Sequence, residues 1–212
     1  MSRFFIVRHG ETMWNKEFKY QGQSDVPLND TGRFQARKLS ERLKKEKIDV
    51  IYSSDLQRAM ETAEIIARPH CLGVQPVKEM RELCFGIWEG LTFNEIERKW
   101  PDELEKWRRD PFHTKPPGGE NLSELLFRTS NFIKKIARNH VDKRILIVTH
   151  AGPVRALLAS ILNLKDDFFW KFKISNASLT VIEYDGMADL NESNAFIITV
   201  NETYHLYDKT GP

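Results

Sequence analysis

Phe4-Phe5-Ile6-Val7-Arg8-His9-Gly10-Glu11-Thr12 is the stretch from which the fold is read. Its first four residues are apolar, two aromatic and two β-branched, the composition of a buried strand. Polar residues then follow without transition. In an open α/β sheet, ligands bind at the carboxyl ends of the strands, which places Arg8 and His9 where chemistry is usually done. The pattern recurs downstream. Ile145-Leu146-Ile147-Val148-Thr149 reads as another buried strand, and His150-Ala151-Gly152 follows at once. Two strand-end histidines, one beside an arginine, suggest a phosphate site with a nucleophile, a partner and a fixed positive charge.

Working outward, strand and helix periods alternate. The first strand covers 3–7, and a polar and aromatic loop runs on to Pro27. Asn29-Asp30-Thr31-Gly32 reads as a helix start with Thr31 as cap. Ala36, Leu39 and Leu43 then share one face of a helix over 32–45. A strand over 48–52 ends in Ser53-Ser54-Asp55, and a helix over 56–68 turns Ala59, Ala63, Ile66 and Ala67 inward. Residues 74–77 read as a short strand. A helix over 121–139 leads into the strand at 144–149, and another over 153–163 has Pro153 in its first turn. Strands near 178–184 and 195–200 follow, one of them antiparallel to the rest.

Such alternation implies right-handed βαβ crossovers. The expected fold class is α/β: a three-layer α/β/α sandwich around a mainly parallel mixed sheet with one antiparallel strand. Residues 92–117 break the rhythm with Trp100, Trp107, two short helical patterns and the turn-rich Pro116-Pro117-Gly118-Gly119. They read as a helical, lid-like excursion over the carboxyl edge of the sheet, within one domain spanning 1–212.

The 32 lysines and arginines nearly balance 30 aspartates and glutamates, which argues against a nucleic-acid or membrane-surface protein. With 41% hydrophobic residues, the chain can build a substantial core. No stretch approaches the ~20 apolar residues of a membrane helix, and no signal peptide is read at the start. A cytoplasmic protein is expected. Cys71 and Cys84 have neither metal-type nor disulfide spacing and read as reduced thiols.

A phosphate monoester repels anionic nucleophiles, whereas neutral imidazole can accept the phosphoryl group in line while fixed cations neutralise its oxygens. Arginine suits that task, because its planar fork donates two parallel hydrogen bonds. Arg8 adjoins His9, and Arg58 lies near the start of the helix that follows the strand ending at Ser53. Backbone N–H groups of Ala151 and Gly152, at a helix start, add an anion cradle. The leaving alkoxide needs a proton from a carboxylic acid in a partly dehydrated cleft. Glu82 is the candidate, with Glu11 and Glu89 as competitors that chemistry alone does not exclude.

Five separated motifs now carry a resemblance. They are Arg8-His9-Gly10-Glu11-Thr12, Arg58 within Ser53-Ser54-Asp55-Leu56-Gln57-Arg58-Ala59, Glu82 ahead of Gly86-Ile87-Trp88-Glu89-Gly90, Gly118-Gly119-Glu120, and Thr149-His150-Ala151-Gly152. In this order, from residue 3 to about 160, the chain resembles the histidine phosphatase, or phosphoglycerate mutase-like, superfamily. Asn201-Glu202-Thr203-Tyr204-His205-Leu206 resembles the closing segment of its bacterial phosphatases.

The resemblance implies a phosphohistidine mechanism. His9 would be the nucleophile, Arg8, Arg58 and His150 would hold the phosphoryl group, and Glu82 would protonate the leaving oxygen and later activate water. Asn15, Gln21 and Gly22 would line the phosphate pocket. No cofactor or metal is implied. The partner would be a small-molecule phosphate ester, with no nucleic acid or membrane, and a homodimer is one assembly open to the chain. Being short between the glutamate and the second histidine, the chain resembles phosphatases more than cofactor-dependent phosphoglycerate mutases. α-Ribazole phosphate ranks first among substrates, with phosphoserine and glucosyl-3-phosphoglycerate as alternatives and a non-catalytic phospholigand-binding module as the rival class. Trp14, Phe85, Trp88 and the excursion would shape the leaving-group pocket. His70, His113 and His140 read as ordinary surface histidines, and His205 as a strand-ending one.

Overall fold

The computed structural model describes residues 1–164, 166–191 and 194–207. Its six strands are β1 (Ser2–Arg8), β2 (Val50–Ser54), β3 (Val74–Val77), β4 (Arg144–Thr149), β5 (Leu179–Tyr184) and β6 (Ala195–Glu202). They form one sheet in the order β3-β2-β4-β1-β5-β6. Every pairing from β3 to β1 is parallel, and β5 runs against both of its neighbours. The three-layer sandwich with a single opposed strand is therefore present as read.

The period-2 alternation of β1 sorts its side chains between two cores. Phe4 and Ile6 pack with Ile145 and Ile147 under α6 (Leu122–Asn139) and α7 (Ala151–Leu162). Phe5 and Val7 pack with Leu146 and Val148 under α2 (Asp30–Leu43) and α3 (Gln57–Ala67). None of the four β1 residues is more than 3% exposed. Each such burial stabilises the fold by about 1.5–3 kcal/mol relative to an exposed side chain. A one-residue slip would exchange the two cores, so the register is tightly specified.

That register builds the site. β1 and β4 pair Val7 with Val148 and Arg8 with Thr149, and one further residue on each strand gives His9 and His150. The His9 N–H donates to the Thr149 carbonyl at 2.9 Å. On the other side of β4, Ser53 pairs with Val148, which brings Ser54 to the same edge.

Several boundaries move. The α2 cap is Asn29, not Thr31: Asn29 lies in extended backbone and its side chain accepts the Gly32 N–H, whereas Thr31 is already inside the helix. β2 begins at Val50 rather than at 48. α7 begins immediately after His150, and Pro153 sits in its first turn. The loop after β1 contains a four-residue helix, α1 (Met13–Lys16), started by a reciprocal capping box between Thr12 and Asn15.

The excursion forms α4 (Phe93–Lys99), also opened by a capping box, Thr92 with Glu95, and α5 (Pro101–Arg109). Ile96, Leu104, Trp107 and Phe112 pack with Trp88 and with Leu122, Leu125, Ala156 and Ala159 of α6 and α7. This third core stands behind the carboxyl edge. No helix among the described residues is long and apolar enough to cross a membrane.

Candidate active site

A cavity of about 420 Å³ opens at the carboxyl edge of the sheet. Arg8, His9, Asn15, Gln21, Gly22, Arg58, Glu82 and Gly152 all line it, brought together from residues far apart in sequence. His9 and His150 meet edge to face with ring centroids 5.0 Å apart.

His9 is 2% exposed. Its Nδ1 is 2.7 Å from the Gly10 carbonyl, which has only acceptors to offer, so Nδ1 carries the proton and Nε2 keeps its lone pair. Burial first, then the charges of Arg58 and Arg8, hold its pKa well below the usual histidine value. The imidazole is thus neutral, the form a nucleophile needs. His150 is pushed the same way, by burial, Arg58 and then His9. Its Nε2 is 2.8 Å from Ser54 Oγ. That oxygen also accepts the Leu56 N–H at 3.4 Å; when its own proton goes to Nε2, the ring proton of His150 sits on Nδ1.

The two arginines are tied by backbone carbonyls. Arg58, fully buried, donates to Ser24 and Gly22 carbonyls, each at 2.7 Å. Arg8 donates to the Ile174 carbonyl at 2.6 Å. Burial lowers both to about 10, so both remain cations at neutral pH. Arg8 Nε, Arg58 Nε and His150 Nδ1 are buried without a protein acceptor. Buried donors are almost always paired in native proteins, so these nitrogens have hydrogen-bonding capacity left over; Arg8 and Arg58 line the cavity, while His150 is not among its lining residues and packs on His9.

Glu82 lines the same cavity, and its charge partly offsets the effect of burial on both Arg8 and Arg58. Its Oε1 accepts the Leu83 N–H at 2.9 Å and the Gly152 N–H at 3.0 Å. The Gly152 amide is therefore engaged by a carboxylate, which removes it from the anion cradle expected of Ala151 and Gly152. Ala151 is buried and does not line the cavity among the described residues. The competing acids have other partners. Glu11 accepts from Asn29 at the start of α2. Glu89 braces the loop before Arg58, accepting the N–H groups of Gln23 and Phe85 and the Ser24 hydroxyl. Neither lines the cavity, whereas Glu82 does.

Asn15 and Gln21 both turn carbonyl oxygens toward Thr12, whose hydroxyl donates to Gln21 at 2.8 Å and whose N–H donates to Asn15 at 3.1 Å. This leaves their amide NH₂ groups to the cavity. Asn176, absent from the sequence reading, donates to the carbonyls of His9 and Gly10 and to Asn15 Oδ1 at 3.2, 3.3 and 3.2 Å. It lies just before β5. Because β5 opposes β1, its amino end shares the carboxyl edge, a placement that only the sheet order reveals. Arg155, one turn into α7, also lines the cavity, stacked on Trp170 and bonded to the Phe172 carbonyl.

The mouth is aromatic: Trp14, Phe18, Tyr20, Phe85, Phe169 and Trp170. Trp88 is fully buried and the excursion contributes no lining residue; Trp107 instead backs Phe85 and Trp170. His205, buried behind the site, meets the Ala177 carbonyl at 2.9 Å and does not line the cavity. His113 is exposed, and His70 and His140 are half-buried, His140 against the Tyr52 hydroxyl. Cys71 and Cys84 are free thiols.

Two strand-end imidazoles packed on each other, two pinned guanidinium groups and a carboxylate thus gather at one cavity, a set of groups suited to a phosphate ester. Residues 4–192 match the family model of the histidine phosphatase superfamily (branch 1), and the chain belongs to that family. It is 33% identical over 206 residues to phosphoserine phosphatase 1 of Hydrogenobacter thermophilus, covering 97% of this chain and 95% of that one. It is 28% identical to the adenosylcobalamin/alpha-ribazole phosphatase of Escherichia coli, covering 94% and 95%. Among solved structures, Bacillus stearothermophilus YhfR superposes with a TM-score of 0.89 at 30% identity, covering 98% of this chain and all of that one. The protein is a phosphatase of this superfamily.

Proposed function

We propose that the protein hydrolyses small phosphate monoesters through a phosphohistidine on His9. The observation that carries this reading is that His9, whose Nδ1 meets the Gly10 carbonyl, lines one cavity with Arg8, Arg58 and Glu82. His9 Nε2 attacks phosphorus, and the P–O bond to the alcohol breaks. Glu82 gives its proton to the departing oxygen. Arg8, Arg58 and the Nδ1–H of His150 neutralise the phosphoryl oxygens as charge spreads over them. Water then attacks the phosphohistidine, its proton passes to the Glu82 carboxylate, and the P–N bond breaks to release orthophosphate. Asn15, Gln21 and Gly22 bound the phosphoryl end of the cavity, Trp14, Phe85 and Trp170 the alcohol end, and α5 backs that wall through Trp107 rather than covering it.

Trapping tests the reading. Quench of a brief reaction with ³²P-labelled ester in alkaline detergent should leave an acid-labile, alkali-stable label on the wild type and none on His9→Ala, which should also lose turnover. An active His9→Ala protein ends the proposal. The likeness to the E. coli and Hydrogenobacter relatives supports α-ribazole phosphate and phosphoserine as the esters to compare first, by kcat/KM. Isomerisation of 3-phosphoglycerate at the rate of hydrolysis would favour a mutase instead. The two free thiols favour the reducing cytoplasm as its compartment. An alternating exposed row on the edge strand β6, Phe196, Ile198 and Val200, favours a homodimer, which sedimentation equilibrium decides.

A further inference from the structure

Arg128 of α6 uses all five of its N–H groups. Nε and Nη2 hold the Glu120 carboxylate at 3.1 and 2.6 Å. Nη1 donates to the backbone carbonyls of Glu79 at 2.6 Å and Arg81 at 2.7 Å, and Nη2 donates to that of Glu82 at 2.9 Å. Glu120 in turn accepts the Cys84 N–H at 3.0 Å. Both side chains are less than a fifth exposed.

The segment that this pair grips, residues 81–85, is neither helix nor strand. Its backbone groups therefore have no ladder to satisfy them and need partners from elsewhere. One bidentate ion pair takes the Arg81 and Glu82 carbonyls and the Cys84 N–H, and so holds the main chain on both sides of Glu82, while Gln23 adds a second donor to the Glu82 carbonyl and Glu89 accepts the Phe85 N–H. Neither Arg128 nor Glu120 lines the cavity.

We propose that Arg128 and Glu120 are positioning residues for proton transfer by Glu82. The inference rests on the assignment of Glu82 as the acid. A proton donor acts only within hydrogen-bond reach of the leaving oxygen, and displacements of about 1 Å can cost about 100-fold in rate. The ion pair sets that distance through the backbone, while the Gly152 and Leu83 N–H groups set the orientation of the carboxyl group.

The test uses leaving groups of unequal basicity. An alkyl phosphate such as phosphoserine needs a proton at its departing oxygen; 4-nitrophenyl phosphate does not. Because kcat/KM covers the steps up to phosphohistidine formation, a misplaced acid lowers it selectively for the alkyl ester. Arg128→Gln and Glu120→Gln are each expected to lose at least about tenfold more kcat/KM on phosphoserine than on 4-nitrophenyl phosphate. Arg128→Lys should fall between them and the wild type, and KM for the aryl ester should hold. Glu82→Gln is the reference. If it splits the two substrates and neither Arg128→Lys nor Glu120→Gln does, the positioning role is wrong while Glu82 remains the acid. If Glu82→Gln loses both substrates equally, the acid assignment fails and the proposal with it. Should Arg128→Gln not fold, Arg128→Lys and Glu120→Gln decide.

Discussion

Gly152 and Glu82 occupy one space. The Gly152 N–H donates to Glu82 Oε1 at 3.0 Å, and a Cβ built on Gly152 would lie 2.1 Å from that same oxygen. The first turn of α7 thus anchors the carboxyl group and admits no side chain beside it.

Gly152→Ala should therefore separate activity from stability. Its backbone is ordinary helix, where alanine is favoured over glycine by about 1 kcal/mol, so the fold should tolerate the change. The clash falls on the end of the Glu82 side chain, which must leave its two N–H partners. The expected outcome is a fall in kcat/KM on an alkyl phosphate of at least about tenfold, with a melting temperature within a few degrees of wild type. Unchanged turnover would mean that the carboxyl position is unimportant.

How much of this was legible beforehand follows from which contacts are local. β1 and β4 are uninterrupted apolar runs that end in polar residues, and so His9 and His150 were visible as strand-end groups. Their adjacency depends on sheet order, which no local pattern encodes. Ser54 and Asn176 were hidden for that reason: each becomes a site residue only once β2 lies beside β4 and β5 runs against β1. The Thr31 cap failed differently, since Asn29 and Thr31 are both good capping types and only the chain's entry angle chooses between them. Glu89 looked as acidic as Glu82, yet tertiary hydrogen bonds make it a brace.

Glu89→Ala should act on phosphate binding rather than on proton transfer. Its carboxylate holds the Gln23 N–H and the Ser24 hydroxyl, and the carbonyls of Gly22 and Ser24 hold Arg58. Gly22 itself has φ near +49°, and a Cβ there would meet Glu89 Oε1 at 2.0 Å, so this loop is built around the carboxylate. Without it Arg58 loses its fixed seat. Inhibition by orthophosphate should weaken severalfold, and stability should drop by about 1–3 kcal/mol for the N–H groups left unpaired. Equal kcat/KM losses on aryl and alkyl esters are expected, in contrast to Glu82→Gln; a selective alkyl loss would mean that Glu89 acts on proton transfer, as the acid or through the Phe85 N–H that it holds.

Asn176→Ala removes the donor that bridges the His9 and Gly10 carbonyls and Asn15. The Gly10 carbonyl is the same atom that fixes the His9 tautomer, so the nucleophile loses orientation without losing chemistry. The phosphohistidine should still form, at a rate reduced about tenfold in rapid quench. Stability should fall by about 1–2 kcal/mol. Full abolition of the label would point instead to direct participation by Asn176.

Stability should decline on mild acidification, and the sign follows from the two active-site imidazoles. His9 and His150 have folded pKa values well below the ordinary 6.5, chiefly through burial. Below pH ~6.5 the unfolded chain binds protons at both positions while the folded chain does not. Unfolding therefore takes up protons, and stability is lost as pH falls from 6.5 towards the folded values. The limiting slope is about 1.4 kcal/mol per pH unit for each histidine. Asp55, held below its usual value first by its hydrogen bond to Arg81, loses its contribution only below the ordinary carboxylate range, outside this window. Urea unfolding between pH 6.5 and 5 should show the decline in the wild type and a shallower one in His150→Asn, by about one histidine's share. A profile that stays level to pH 5 would mean that these imidazoles titrate normally, and the neutral nucleophile would lose its physical basis.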